Sequence, residues 1–135
     1  MRWKQRRSAV FLDRDGVLNR ERGQHTWRLE DFELLPDVPR AVRAFQDAGH
    51  LLVVITNQSG IGSGLYGHGD VARVHAYLRD RLAREGVDLS DVFYCPHHPD
   101  RGRSCSAIGS GTWRLRPRRA CAVCSWGRTH PCGIT

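Results

Sequence analysis

VFLDRDGVLN, residues 10–19, sets a short apolar run directly against two aspartates one residue apart, with a glycine following at once. AVFL (9–12) has the continuous apolar character of a buried parallel strand, and LLVVIT (51–56) repeats it. Between them, Asp37 is placed to cap a helix that starts near Pro39, carries Val38, Ala41, Val42 and Phe45 on one face and stops at Gly49. That is a βαβ unit. A second helix is predicted from Asp70 to Glu85, with Val71, Val74, Leu78 and Leu82 at spacings of three and four and Gly86 as its stop. VFYC (92–95) then reads as a third strand. The alternation predicts an α/β fold with an open, doubly wound (Rossmann-like) parallel sheet, in which ligands bind at the carboxyl ends of the strands. Both DRDG (13–16) and TNQSG (56–60) fall at such ends.

The chain has 135 residues and a formal net charge of +7, enough for one domain with a modest core. The charge is not spread evenly. Residues 1–100 hold 14 Lys+Arg and 14 Asp+Glu, whereas 101–135 hold 7 arginines, no lysine and no acid. A nucleic-acid surface is expected to spread its basic residues over a folded face with stacking aromatics, so nucleic acid is not the expected partner. No apolar run approaches the ~18 residues of a membrane span, and MRWKQRRSAV lacks the apolar core of a signal peptide. A cytoplasmic monomer without membrane association is the expectation. Cys95 precedes the compositional break, and Cys105, Cys121, Cys124 and Cys132 follow it. Five cysteines without a secretion signal favour thiol or metal chemistry over a disulfide framework.

Asp13 and Asp15 would project the same way from a locally extended chain. One carboxylate can then attack as a nucleophile while the other gives and takes a proton, with Mg²⁺ on hard oxygen ligands keeping the attacker ionised. Alone, Asp-x-Asp is read as readily as a solvated turn. The second strand end adds the hydroxyls of Thr56 and Ser59, the amide of Asn57, and at Gly60 room for backbone N–H groups to face an anion. His25, His50, His68 and His75 read as surface or helix residues rather than ligands.

FLDRDGVLN, LLPDVPRAV, LLVVITNQSGIGSGLY and YCPHHP, in this order over about residues 8–105, resemble the haloacid-dehalogenase superfamily. More narrowly they resemble its D-glycero-D-manno-heptose 1,7-bisphosphate and histidinol-phosphate phosphatases. The resemblance implies that Asp13 attacks phosphorus to form an aspartyl-phosphate and that Asp15 protonates the leaving oxygen and later activates water. It implies Mg²⁺ on the Asp13 carboxylate and the Asp15 backbone carbonyl. Thr56 would hold the phosphate, with Asn57, Gln58 and Ser59 lining the substrate pocket. Glu21, Arg22, Gly23 and Gln24 occupy the place of the family's substrate loop, although only Gly23 matches closely, and Ser63 stands where the family commonly has arginine. Cys95, His97 and Cys105 fit three ligands of the family's structural zinc loop. The fourth is missing because position 107 is alanine; Cys121, Cys124, His130 and Cys132 are alternatives.

The resemblance also implies a later basic residue for the phosphate and a later acidic pair for Mg²⁺. The only lysine is Lys4, and no Asp or Glu follows Asp100. The expected organisation is therefore a phosphatase-type domain in 1–105, its sheet incomplete in the C-terminal half, and an irregular Arg-, Cys- and Gly-rich tail in 106–135 offering no fourth strand. A slipped reading frame near Ser104–Ala107 would account for these features together; a divergent natural tail is the alternative. The expected function is removal of the C7 phosphate from heptose 1,7-bisphosphate, impaired in this chain. Histidinol-phosphate hydrolysis, or phosphosugar or zinc binding without turnover, are the alternatives.

Overall fold

A computed structural model of the chain describes residues 8–98 and the backbone of 108–109. Four strands, β1 (Ala9–Leu12), β2 (Leu51–Asn57), β3 (Asp91–Cys95) and β4 (Ile108–Gly109), form one sheet in the order β1-β2-β3-β4. The first three are parallel, with Phe11 opposite Val53 and Thr56 opposite Tyr94. β4 runs antiparallel to β3, pairing Ile108 with Tyr94 and Gly109 with Phe93. No strand is expected there from the sequence, because two residues are too few to carry a period; the open edge of β3 supplies the pairing.

Helix α1 (Val38–Asp47) starts beside Pro39 as expected, but Asp37, although it stands at the N-cap position, makes no side-chain capping bond. Helix α2 (His68–Arg84) begins two residues before the expected Asp70. Asp70 reaches back from the first turn instead, its carboxylate accepting from the Gly67 N–H at 2.9 Å. The helix ends before Gly86, whose φ of 76° is the left-handed conformation that stops a helix cheaply only at glycine.

Strands laid successively in one direction, with right-handed crossovers, keep both helices on the same face. Leu52 and Val54 of β2 accordingly join Val42 of α1 and Val74, Leu78 and Leu82 of α2 in one core with Val87, Leu89 and Val92. The alternate positions point to the other face, where Phe11 is 65% exposed. The described residues thus wind over one face of an α/β sheet. The tail from 110 onward, including Cys121, Cys124, His130 and Cys132, lies outside the described residues.

Candidate active site

β1 delivers Asp13 at its carboxyl end, where the carboxylate accepts from the Arg14 N–H at 2.7 Å. The chain then turns on a single carbonyl: Arg14 O accepts from the N–H groups of Leu18 (2.8 Å) and Asn19 (3.1 Å). Gly16 makes the reversal with φ 83°. The turn separates the two aspartates in environment. Asp13 is open to solvent, whereas the Asp15 carboxylate is encircled by donors: Arg14 Nη2 at 2.9 and 3.0 Å, Asn19 Nδ2 at 3.1 Å and Gln58 Nε2 at 3.1 Å. Although Asp13 is open, protein packed beside its carboxyl disfavours the charge and raises its pKa; the Arg14 N–H opposes this and the Asp15 charge adds to it.

Arg14 is fully buried, which a guanidinium tolerates only when its donors are used. Besides Asp15 it gives Nη2 to Thr26 O at 2.7 Å and has Nη1 3.4 Å from His75 Nε2. Burial first, and then the Arg14 charge, push the His75 pKa down to about 3, so the ring is neutral and presents Nε2 as an acceptor. His75 is a helix residue, as expected, but a buried one that partners the aspartate turn.

At the end of β2, Thr56 and Gln58 are each 1% exposed, Asn57 is exposed and Ser59 half-buried. The Gln58 N–H donates to Cys95 O at 2.7 Å, tying the loop to β3. Its side chain, which the family resemblance implies lines the substrate pocket, is buried and bonded to protein groups. Nε2 donates to Asp15 and to Thr56 Oγ1 at 3.0 Å, while Oε1 accepts from Tyr66 Oη at 2.8 Å. Gly60 is likewise not open room for an anion: a Cβ there would lie 2.1 Å from Tyr66 Cε1, so the tyrosine ring fills the space. Burial raises the Tyr66 pKa to about 12, the Gly60 N–H bond to its hydroxyl opposing the rise.

The segment 21–28 folds over the aspartate turn. Glu21 Cβ lies 3.6 Å from where a Cβ on Gly16 would stand, and its charge adds to the upward push on Asp13. Glu21 also accepts from the Gly23 N–H at 2.8 Å, and Arg22 pairs with Asp31 at 3.1 Å. Gln24 is exposed. Trp27 stacks on Tyr66, ring centres 5.9 Å apart and planes 12° apart, with Arg28 4.7 Å above the indole.

Asp13, Asp15, Thr56 and Gln58 are thus gathered at adjacent strand ends. Arg14, Asn19, Tyr66 and His75 are the participants that sequence reasoning passes over. The placement of Arg14 between two acids imitates a solvated charge run, and Tyr66 closes a loop with no periodicity.

The zinc reading is not supported by the described residues. None of their His, Cys, Asp and Glu side chains form a group of three able to hold a metal ion. Cys95 Sγ lies 3.8 Å from His97 Nδ1, but Cys95 is in a disulfide. Cys105 lies outside the described residues.

A D-glycero-beta-D-manno-heptose-1,7-bisphosphate 7-phosphatase of Photorhabdus laumondii is 40% identical over 92 residues, 68% of this chain and 48% of that protein. A D-glycero-alpha-D-manno-heptose-1,7-bisphosphate 7-phosphatase of Mycobacterium bovis is 37% identical over 124 residues, 91% of this chain and 60% of that protein. The latter match is too long to end at residue 105. A D,D-heptose 1,7-bisphosphate phosphatase from B. bronchiseptica, crystallised with magnesium and phosphate, superposes with a TM-score of 0.69 at 31% identity. The superposition covers 73% of this chain and 55% of that one. No family model matches the chain. It spans about half the length of the curated relatives it matches.

The one-sided parallel sheet, with paired aspartates past β1 and a Thr-Asn-Gln-Ser loop past β2, is haloacid-dehalogenase-like. Within that class, the proteins to which the chain is similar over about half of their length, at 37–40% identity, are D-glycero-D-manno-heptose-1,7-bisphosphate 7-phosphatases.

Proposed function

We propose that this chain carries the nucleophile-bearing part of a phosphomonoesterase that removes the C7 phosphate of D-glycero-D-manno-heptose 1,7-bisphosphate. The observation that carries the reading is the difference between the two aspartates: one is open and unfavourably charged, the other is held by three side-chain donor groups, one of which, the Gln58 amide, also bonds Thr56. The open Asp13 oxygen attacks phosphorus, and the bond to the sugar oxygen breaks as Asp15 gives that oxygen a proton. Asp15 then takes a proton from water, whose oxygen cleaves the aspartyl-phosphate to restore Asp13 and release phosphate. Thr56 donates to the phosphate oxygens. Asn57, Ser59 and the segment Glu21–Gln24 meet the sugar.

Magnesium suits the donor set. Asp13 is a hard, solvent-facing carboxylate in a site that penalises its charge, and the Asp15 backbone carbonyl is a second oxygen; Mg²⁺ typically takes one or two carboxylates with waters and substrate phosphate. When bound it neutralises the charge of Asp13 and of the phosphate. The solved relative that holds magnesium and phosphate supports this.

Residues 1–105 are assigned to this catalytic portion and 106–135 to a tail that adds β4 to its sheet. Phosphosugar binding with impaired turnover is the second reading. A cytoplasmic monomer completes the proposal; no helix among the described residues is long and apolar enough to cross a membrane.

The experiment is phosphate release from heptose 1,7-bisphosphate and from histidinol phosphate by the full chain, with Mg²⁺ and with chelator, beside Asp13→Asn. Metal-dependent release from the heptose that Asp13→Asn abolishes supports the enzyme. Faster release from histidinol phosphate overturns the substrate. Binding without release selects the second reading, and neither binding nor release overturns both.

A further inference from the structure

Gln58 uses its whole amide. Both Nε2 hydrogens are taken, one by Asp15 Oδ2 at 3.1 Å and one by Thr56 Oγ1 at 3.0 Å, and Oε1 accepts from Tyr66 Oη at 2.8 Å. The reverse orientation would set Oε1 against a carboxylate, so the direction of every bond is fixed. The Tyr66 hydroxyl is directed in turn, because it gives its single proton to Gln58 Oε1. Thr56 Oγ1, occupied as an acceptor, keeps its proton for an acceptor elsewhere.

We propose that Gln58, aimed by Tyr66, is a positioning residue that turns the Thr56 hydroxyl proton toward the bound anion and holds the Asp15 carboxylate in place. This rests on the phosphatase reading above and extends it from the residues that meet substrate to the pair that orients them. The amide joins the ends of β1 and β2, so a single group sets the donor to phosphate and the acid-base carboxylate together. Trp27, stacked on Tyr66, extends the same chain to the segment over the site: the position of that segment bears on Tyr66 and through it on Gln58. Tyr66 and Gln58 need not touch substrate for this. Their effect is carried by Thr56 and Asp15.

Two measurements on the full chain test it, and neither needs turnover. In the first, the ¹³C chemical shift of the Asp15 carboxyl is recorded at one fixed neutral pH with carboxyl-labelled aspartate, its signal assigned by Asp15→Asn, in wild type, Gln58→Met and Tyr66→Phe. Losing the Gln58 donor should move that signal in Gln58→Met and, by less, in Tyr66→Phe, which keeps the ring over Gly60 and the stack on Trp27. An unmoved signal in Gln58→Met overturns the Asp15 half of the proposal, and a change there with none in Tyr66→Phe overturns the role of Tyr66.

In the second, orthophosphate binding is measured by calorimetry in the same variants with and without Thr56→Val. Each variant should bind about fivefold more weakly, as expected for one neutral hydrogen bond, and the loss should vanish in the Thr56→Val background. Losses that persist without the Thr56 hydroxyl overturn the Thr56 half. A wild-type chain that binds no orthophosphate overturns the phosphatase reading and the Thr56 half with it, while the Asp15 carboxyl signal still decides the other half. Bound phosphate with no hydrolysis of heptose bisphosphate counts against the catalytic reading alone.

Discussion

Arg14 and His75 meet in the interior, Nη1 lying 3.4 Å from Nε2, with the guanidinium fully buried and the imidazole held neutral. A residue of the β1 turn is thereby locked to α2, 61 positions later. The contact joins the aspartate loop to the helix that covers the core.

Removing the guanidinium should be costly. Arg14→Ala leaves Asp15 without its shortest side-chain donor and opens a hole, so urea unfolding is expected to show a loss of ~3–5 kcal/mol, the usual cost of breaking a buried pair from one side. Arg14→Lys keeps the charge but cannot reach Asp15, Thr26 and His75 together, and should recover only part of that loss.

His75 makes stability depend on pH. Its folded pKa of about 3 lies below the ordinary 6.5, so between these values the unfolded chain binds a proton that the folded chain refuses. Stability is undiminished above pH 6.5 and falls by up to ~1.4 kcal/mol per unit as the pH drops through that window. His75→Asn should flatten that part of the curve. An unchanged slope in Tm against pH would show that His75 is not the group responsible.

Asp13 carries the opposite sign. Its folded pKa is raised, so the cost of its charge is absent below the unfolded value of 3.8 and appears in full once the pH exceeds the folded value. Asp13→Asn should therefore raise Tm at neutral pH, with the gain shrinking toward pH 3, while ending any phosphate release. The nucleophile is placed where function needs it and folding does not.

Gly60→Ala should destabilise by ~1–3 kcal/mol, since its Cβ meets the Tyr66 ring at 2.1 Å and an overpacked site has to shift. Gly69→Ala is the control. Nothing lies within 4 Å of a Cβ there, and alanine in a helix is favoured over glycine by up to ~1 kcal/mol. Thermal melts of the two variants should move in opposite directions.

Much of the fold was legible because it is written in neighbours. The runs 9–12 and 51–56, and the spacing of Val71, Val74, Leu78 and Leu82, mark elements whose period depends only on nearby residues; all four of those α2 side chains are fully buried. The start of α2 was less so, since Asp70 can act as a cap or as a first-turn residue reaching back, and only the backbone of Gly67 decides between them.

The sequence by itself determined that a parallel sheet would carry two aspartates and a hydroxyl-rich loop to adjacent strand ends, because strand length and side-chain alternation are local. What Gln58, Arg14, Tyr66 and His75 do was decided only by the tertiary structure. Their partners lie 43 residues away for Gln58 with Asp15 and 61 for Arg14 with His75, and no local period encodes which donor will face which acceptor. A buried polar group takes its role from the partner that satisfies it, and that partner is brought within reach only when the strands and helices pack.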